Sequence, residues 1–128
     1  MSGEPEPQRA VKPVAGIQRI INAYGYSLSG LRLAWRSEAA FREEVALLLV
    51  GLPLGLWLGE TPIEKILLIG VLFLVLIVEL LNSAIEAIVD LSSPQYHPLA
   101  KQSKDIASAA VFISLLLAAG VWLTILLF

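Results

Sequence analysis

The stretch Ile66–Asp90 reads ILLIGVLFLVLIVELLNSAIEAIVD, and its two halves make opposite demands on their surroundings. Ile66 through Val78 carries no charged or hydrogen-bonding side chain, as a bilayer-crossing helix requires. Glu79, Asn82, Glu86 and Asp90 then follow at spacings of 3, 4 and 4. At about 100° per residue, these four side chains fall within roughly 80° of one another on one helix face. A carboxylate in hydrocarbon costs several kcal/mol unless it is paired, hydrated or protonated. A polar stripe there implies a wet or metal-bearing cavity, or a polar helix interface. Asn82 alone would suit interhelical hydrogen bonding. Three acids beside it do not, because carboxylates without cations repel one another, so we read the stripe as a site.

Working outward, Thr61-Pro62-Ile63-Glu64 opens this helix with a capping-box pattern: Thr at the N-cap, Pro at the first helical position and Glu at the third. Ile106–Phe128 is a second span, 23 residues without a charge. Val45–Leu58 is a weaker one. Its 14 residues rise about 21 Å against a hydrocarbon core of about 30 Å. Flanking residues must extend it, with Arg42, Glu43 and Glu44 near the headgroups, and Pro53 is expected to bend it. Gly51, Gly55 and Gly59 recur every four residues, a spacing we read as close helix packing.

Before these spans, Ile17, Ile20, Ile21 and Tyr24 form a short amphipathic helix. Gly25-Tyr26-Ser27 is expected to interrupt it, and Leu31, Ala34 and Trp35 resume the apolar stripe among Arg32, Arg36 and Arg42. A basic face opposite an apolar face with Trp suits a membrane interface. Residues 1–14, with three prolines, read as a flexible tail without a cleavable signal peptide.

The fold class expected is thus an all-α membrane protein. A surface helix at about 17–40 precedes transmembrane helices at about 42–58, 62–90 and 100–128, all within one membrane-embedded domain, 15–128. The composition agrees: 57% hydrophobic and 16% charged residues, with a mean hydropathy of +0.78, against about 25% charge in soluble domains. The chain has no cysteine and a single histidine, His97, which excludes thiol chemistry and a His-rich zinc site. Arg9, Lys12, Arg19, Arg32, Arg36 and Arg42 precede the first span, and Lys101 and Lys104 lie between the second and third. Lys65 alone flanks the other loop. The positive-inside rule therefore puts the N-terminus and the 91–105 loop on the cytoplasmic side.

No Lys or Arg lies within the polar half of the second span, so a hard divalent ion is the natural partner for its acids. Mg²⁺ takes carboxylate together with phosphate oxygens, and Glu38 offers a further carboxylate. With the basic residues near the loop holding phosphates, this is the equipment of phosphoryl transfer. No P-loop or protein-kinase motif accompanies it.

The run Glu79-Leu-Leu-Asn82-Ser-Ala-Ile-Glu86-Ala-Ile-Val-Asp90 closely resembles the signature of the prokaryotic diacylglycerol kinase family. Ala23-Tyr-Gly-Tyr-Ser27, Trp35-Arg-Ser-Glu38-Ala-Ala-Phe-Arg42 and Lys104-Asp105-Ile-Ala-Ser108-Ala-Ala are similar to family segments, in order, over roughly residues 17–128. The resemblance implies a homotrimer in the bacterial inner membrane, with active sites shared between subunits. It also implies transfer of the ATP γ-phosphoryl group to the primary hydroxyl of diacylglycerol, with Mg²⁺ as cofactor and no nucleic-acid partner.

By motif position, the resemblance makes Glu79 the base, with Asn82 supporting the centre. Glu38 and Glu86 would bind magnesium. Arg19, Tyr26, Gln95, Tyr96, His97, Lys104 and Asp105, together with those two acids, would contact the nucleotide. Arg19, Ser27, Arg32, Trp35 and Ser108 would meet the lipid beside Glu79. Two positions depart from the pattern: Leu28 where the family often has Trp, and Gln95 where it often has an acid. His97, followed by Pro98, also has the look of a helix cap, and Asp105 that of an acid complementing a helix N-terminus. Three other functions stand beside diacylglycerol phosphorylation: undecaprenol kinase, a small oligomeric proton or ion transporter built on Glu79, and a packing subunit without chemistry.

Overall fold

The computed structural model describes residues 15–128 as four helices: α1 (Gly16–Ser37), α2 (Ala39–Leu58), α3 (Pro62–Ser92) and α4 (Pro98–Leu127). The tail expected over 1–14, with Arg9 and Lys12, lies outside the described residues. α3 and α4 are each long and apolar enough to cross a membrane.

The chain divides into two units, the first ending at Arg32 and the second running from Leu33 to Phe128. In the first unit α1 continues through Gly25-Tyr26-Ser27 without the interruption expected of it. One glycine costs a helix only about 1 kcal/mol relative to alanine. Ser27 turns its hydroxyl back to donate to the Ala23 carbonyl at 2.9 Å, satisfying itself inside the helix. Ile17, Ile20, Ile21 and Tyr24 are all exposed on it.

In the second unit α1 ends at Ser37 and the backbone turns extended at Glu38, the N-cap of α2. The last turn of α1 leaves carbonyls without intrahelical partners. Arg42 supplies them, donating from its guanidinium to the Trp35 carbonyl at 2.7 Å and the Arg36 carbonyl at 3.4 Å. Glu38 makes no capping hydrogen bond with its side chain, which leaves its carboxylate for other work.

α3 is the central helix of this unit, packed by α2 on one side and α4 on the other. Its start is the expected capping box. Thr61 Oγ1 accepts from the Glu64 N–H at 3.2 Å, and Glu64 Oε2 accepts from the Thr61 N–H at 3.2 Å. Leu68, Val71, Leu72, Val75 and Leu76 form its buried face. Val71 and Val75 pack with Ala118 of α4, flanked by Val121 and Trp122. Ala34, Phe41 and Leu76 make a second cluster with Val45, Leu48 and Leu80. Trp122 donates its indole N–H to the Leu68 carbonyl at 2.9 Å, tying α4 to α3. Outside these contacts α3 and α4 expose large apolar side chains, among them Ile66, Phe112 and Leu127. Such a continuous apolar surface fits lipid or further protein rather than water.

The glycine spacing on α2 has a concrete reason. A methyl at Gly51 would come within 2.3 Å of Leu72 Cδ1, and one at Gly55 within 3.0 Å of Ile69 Cγ1. Leu72 Cδ1 is the end of a flexible side chain beside an apolar hollow of about 350 Å³, so it can turn aside, whereas Gly55 also faces Leu68 Cβ at 3.3 Å and Leu68 is fully buried. Gly55→Ala is therefore expected to destabilise the folded protein by about 1–3 kcal/mol, read as a lowered unfolding midpoint in detergent. A midpoint equal to the parent's would show the α2–α3 contact to be slack.

Candidate functional site

Glu79 lies 13 residues into the apolar run that starts at Ile66 and is only 4% exposed, with Asn82 at 9%. Helical spacing puts Glu86 two turns nearer the helix end, about 10 Å along the axis, and Glu86 is half-buried. Asn82 donates its amide N–H to Glu86 Oε1 at 3.5 Å, a long bond that links the middle of the stripe. Glu38, half-buried at the start of α2, and Glu86 both lie within electrostatic reach of Glu79. The structure thus brings Glu38, Glu79, Asn82 and Glu86 into one neighbourhood.

Glu44 joins them. The sequence places it with Arg42 and Glu43 near the headgroups, but it is half-buried and within reach of the Glu79 charge. Its position at the edge of the weakest span made it resemble an interfacial acid.

Among the described residues there are two ion pairs, and neither includes Glu38, Glu44, Glu79 or Glu86. Glu44 Oε2, Asn82 Oδ1 and Ser83 Oγ are buried and accept no hydrogen bond. Among the described residues no group of three or more acids or histidines that could hold a metal ion occurs.

Beyond Glu86, the α3–α4 connection folds around an open polar hollow of about 430 Å³. Gln95, Tyr96, His97, Lys104 and Asp105, all expected at the nucleotide, line it together with Asp90 and Lys101. His97 is also the cap it resembled: Nδ1 accepts from the Leu99 N–H at 3.1 Å, with Pro98 in the first position of α4. That bond fixes the neutral ring's proton on Nε2, leaving a donor for a ligand. Lys104 pairs with Asp90 across the two helices, and Asp105 pairs with Lys101 at 2.5 Å.

The expected lipid and nucleotide residues Arg19, Tyr26, Ser27 and Arg32 belong to the first unit and are exposed on α1. Trp35 is half exposed in the second unit. Ser108 is exposed on α4 and does not line the hollow.

The sequence that builds this arrangement has relatives among known proteins. The family model for prokaryotic diacylglycerol kinase matches residues 25–126. A diacylglycerol kinase of Pseudomonas aeruginosa is 51% identical over 116 residues, covering 91% of this chain and 94% of the relative. One of Escherichia coli K12 is 49% identical over 107 residues, with 84% and 88% covered. A Haemophilus influenzae diacylglycerol kinase is 46% identical over 113 residues, with 88% and 96% covered. Agreement this long, across the acidic helix and the connection that follows it, leaves one conclusion: the chain belongs to the prokaryotic diacylglycerol kinase family.

Proposed function

We propose that this chain is the membrane enzyme that phosphorylates diacylglycerol with ATP to give phosphatidic acid, and that Glu79 is its base. The observation that carries the assignment of the site is a carboxylate at 4% exposure in an apolar helix, paired with no cation among the described residues. Helix stability gains nothing from such a group. A reaction that needs a base beside hydrocarbon gains a great deal.

In this reading the lipid hydroxyl approaches Glu79 from the apolar side and the nucleotide occupies the hollow between α3 and α4. Glu79 takes the hydroxyl proton as the oxygen attacks the γ-phosphorus, and ADP leaves toward the hollow. Glu38 and Glu86 would hold Mg²⁺, which when bound neutralises phosphate charge. Asn82 keeps Glu86 oriented through its amide. Lys104 presents a point charge to the phosphates, and His97 presents its Nε2 proton. Gln95 completes the nucleotide contacts of this unit, Trp35 and Ser108 meet the lipid, and Arg19, Tyr26, Ser27 and Arg32 of the first unit keep the roles that the family resemblance implies.

We further propose that α2 is the third membrane span beside α3 and α4, that α1 lies along the cytoplasmic surface of the bacterial inner membrane, and that three chains assemble with shared sites. Support comes from the basic residues ahead of α2 and from the large apolar faces left open on a single chain. The relatives' names give no support to the undecaprenol kinase or transporter readings.

The test is direct. The purified protein in lipid nanodiscs should transfer radiolabelled phosphate from Mg-ATP to diacylglycerol, and chelation of magnesium should stop it. A correctly assembled preparation that phosphorylates no membrane alcohol would refute the proposal.

A further inference from the structure

Asp90 ends the acidic stripe of α3 and has no part in the scheme above, yet its position is electrostatically poor for the helix that carries it. It lies in the last turn of α3, where unpaired carbonyls already present partial negative charge and a carboxylate is disfavoured. Lys104 lies two turns into α4, beyond the first turn in which the helix terminus acts on a charge. Neither helix is stabilised by its own residue. The two are instead paired with each other, Lys104 Nζ to Asp90 Oδ1, inside the polar hollow that Tyr96 and His97 also line.

As a brace the pair has little value. Its side chains are 41% and 64% exposed, and ion pairs so open to solvent contribute little to stability. As a means of placing a charge it makes more sense. A lysine ammonium rides on a flexible four-carbon stem and carries three donors. One donor given to Asp90 fixes its place and leaves two for phosphate oxygens. Lys101, the other cation of the hollow, is held by Asp105 one turn further along α4.

We propose that Asp90 is a positioning residue that holds the Lys104 ammonium ready within the hollow for the polyphosphate of the incoming nucleotide. This rests on the lipid-kinase reading of the same site.

The experiment measures kcat and the separate KM values for ATP and diacylglycerol, using the full chain in nanodiscs. Asp90→Asn should raise the KM for ATP about two- to fivefold, with kcat and the KM for diacylglycerol little moved, and Asp90→Glu should recover most of the loss. In a Lys104→Met background, Asp90→Asn should add nothing. Exchanging the pair, Asp90→Lys with Lys104→Asp, restores a clasp but moves the cation to α3, so the KM for ATP should stay high. An unchanged KM in Asp90→Asn, an equal shift in both backgrounds, or full recovery in the exchanged pair would overturn the proposal. Wild-type protein without activity would defeat the lipid-kinase reading itself, whereas an active wild type with any of those results defeats only this inference.

Discussion

Glu79→Gln should reduce turnover by about 10²–10⁴-fold, the usual contribution of a positioned general base, while leaving the protein folded. The amide keeps the size and polarity of the side chain but cannot accept the substrate proton. Glu79 is nearly fully buried, and among the described residues no cation is paired with it. Losing its charge therefore removes a desolvation cost and relieves repulsion from Glu38, Glu44 and Glu86. Unfolding in detergent should occur at the parent's midpoint or above it. Inactivity together with greater stability is the signature of an acid retained for chemistry. A variant that keeps a tenth or more of the parent's rate would remove Glu79 from the base role.

Glu86→Gln should act on the metal rather than on the proton. With one of two proposed magnesium ligands neutralised, half-saturation should move to higher Mg²⁺. The factor should be at least the roughly 10- to 100-fold that loss of even a supporting partner costs at a metal site. Excess magnesium should recover part of the rate, which it cannot do for Glu79→Gln. Asn82 donates to Glu86, so Asn82→Ala should follow the same pattern more weakly. Magnesium titrations that overlay for parent and Glu86→Gln would remove Glu86 from the metal.

Much of this architecture was legible in the chain because periodicity and bilayer solvation act locally. The apolar run of α3, its Thr61–Glu64 start and the spacing of Glu79, Asn82 and Glu86 depend only on helix geometry and on what hydrocarbon excludes. The glycine spacing of α2 indicated packing but not its partner, Leu72, because helix pairing is decided in three dimensions. Gly25 resembles a break, but one glycine is only a weak local preference against a helix of 22 residues. Cross-helix pairing was the least legible feature. Nothing in the sequence assigned Lys104 to Asp90 or turned Glu44 toward Glu79, since both depend on how α2, α3 and α4 face one another.

The depth of Glu79 has a kinetic consequence. In the proposed reaction the alcohol reaches this buried acid from the membrane side, so that encounter takes place in two dimensions. Its rate should follow the fraction of lipid molecules that are substrate, not the amount of substrate per volume of buffer. Adding inert lipid should slow the reaction and adding buffer should not. Glycerol, which carries the same primary alcohol without the acyl chains, should be a poor acceptor even at high concentration.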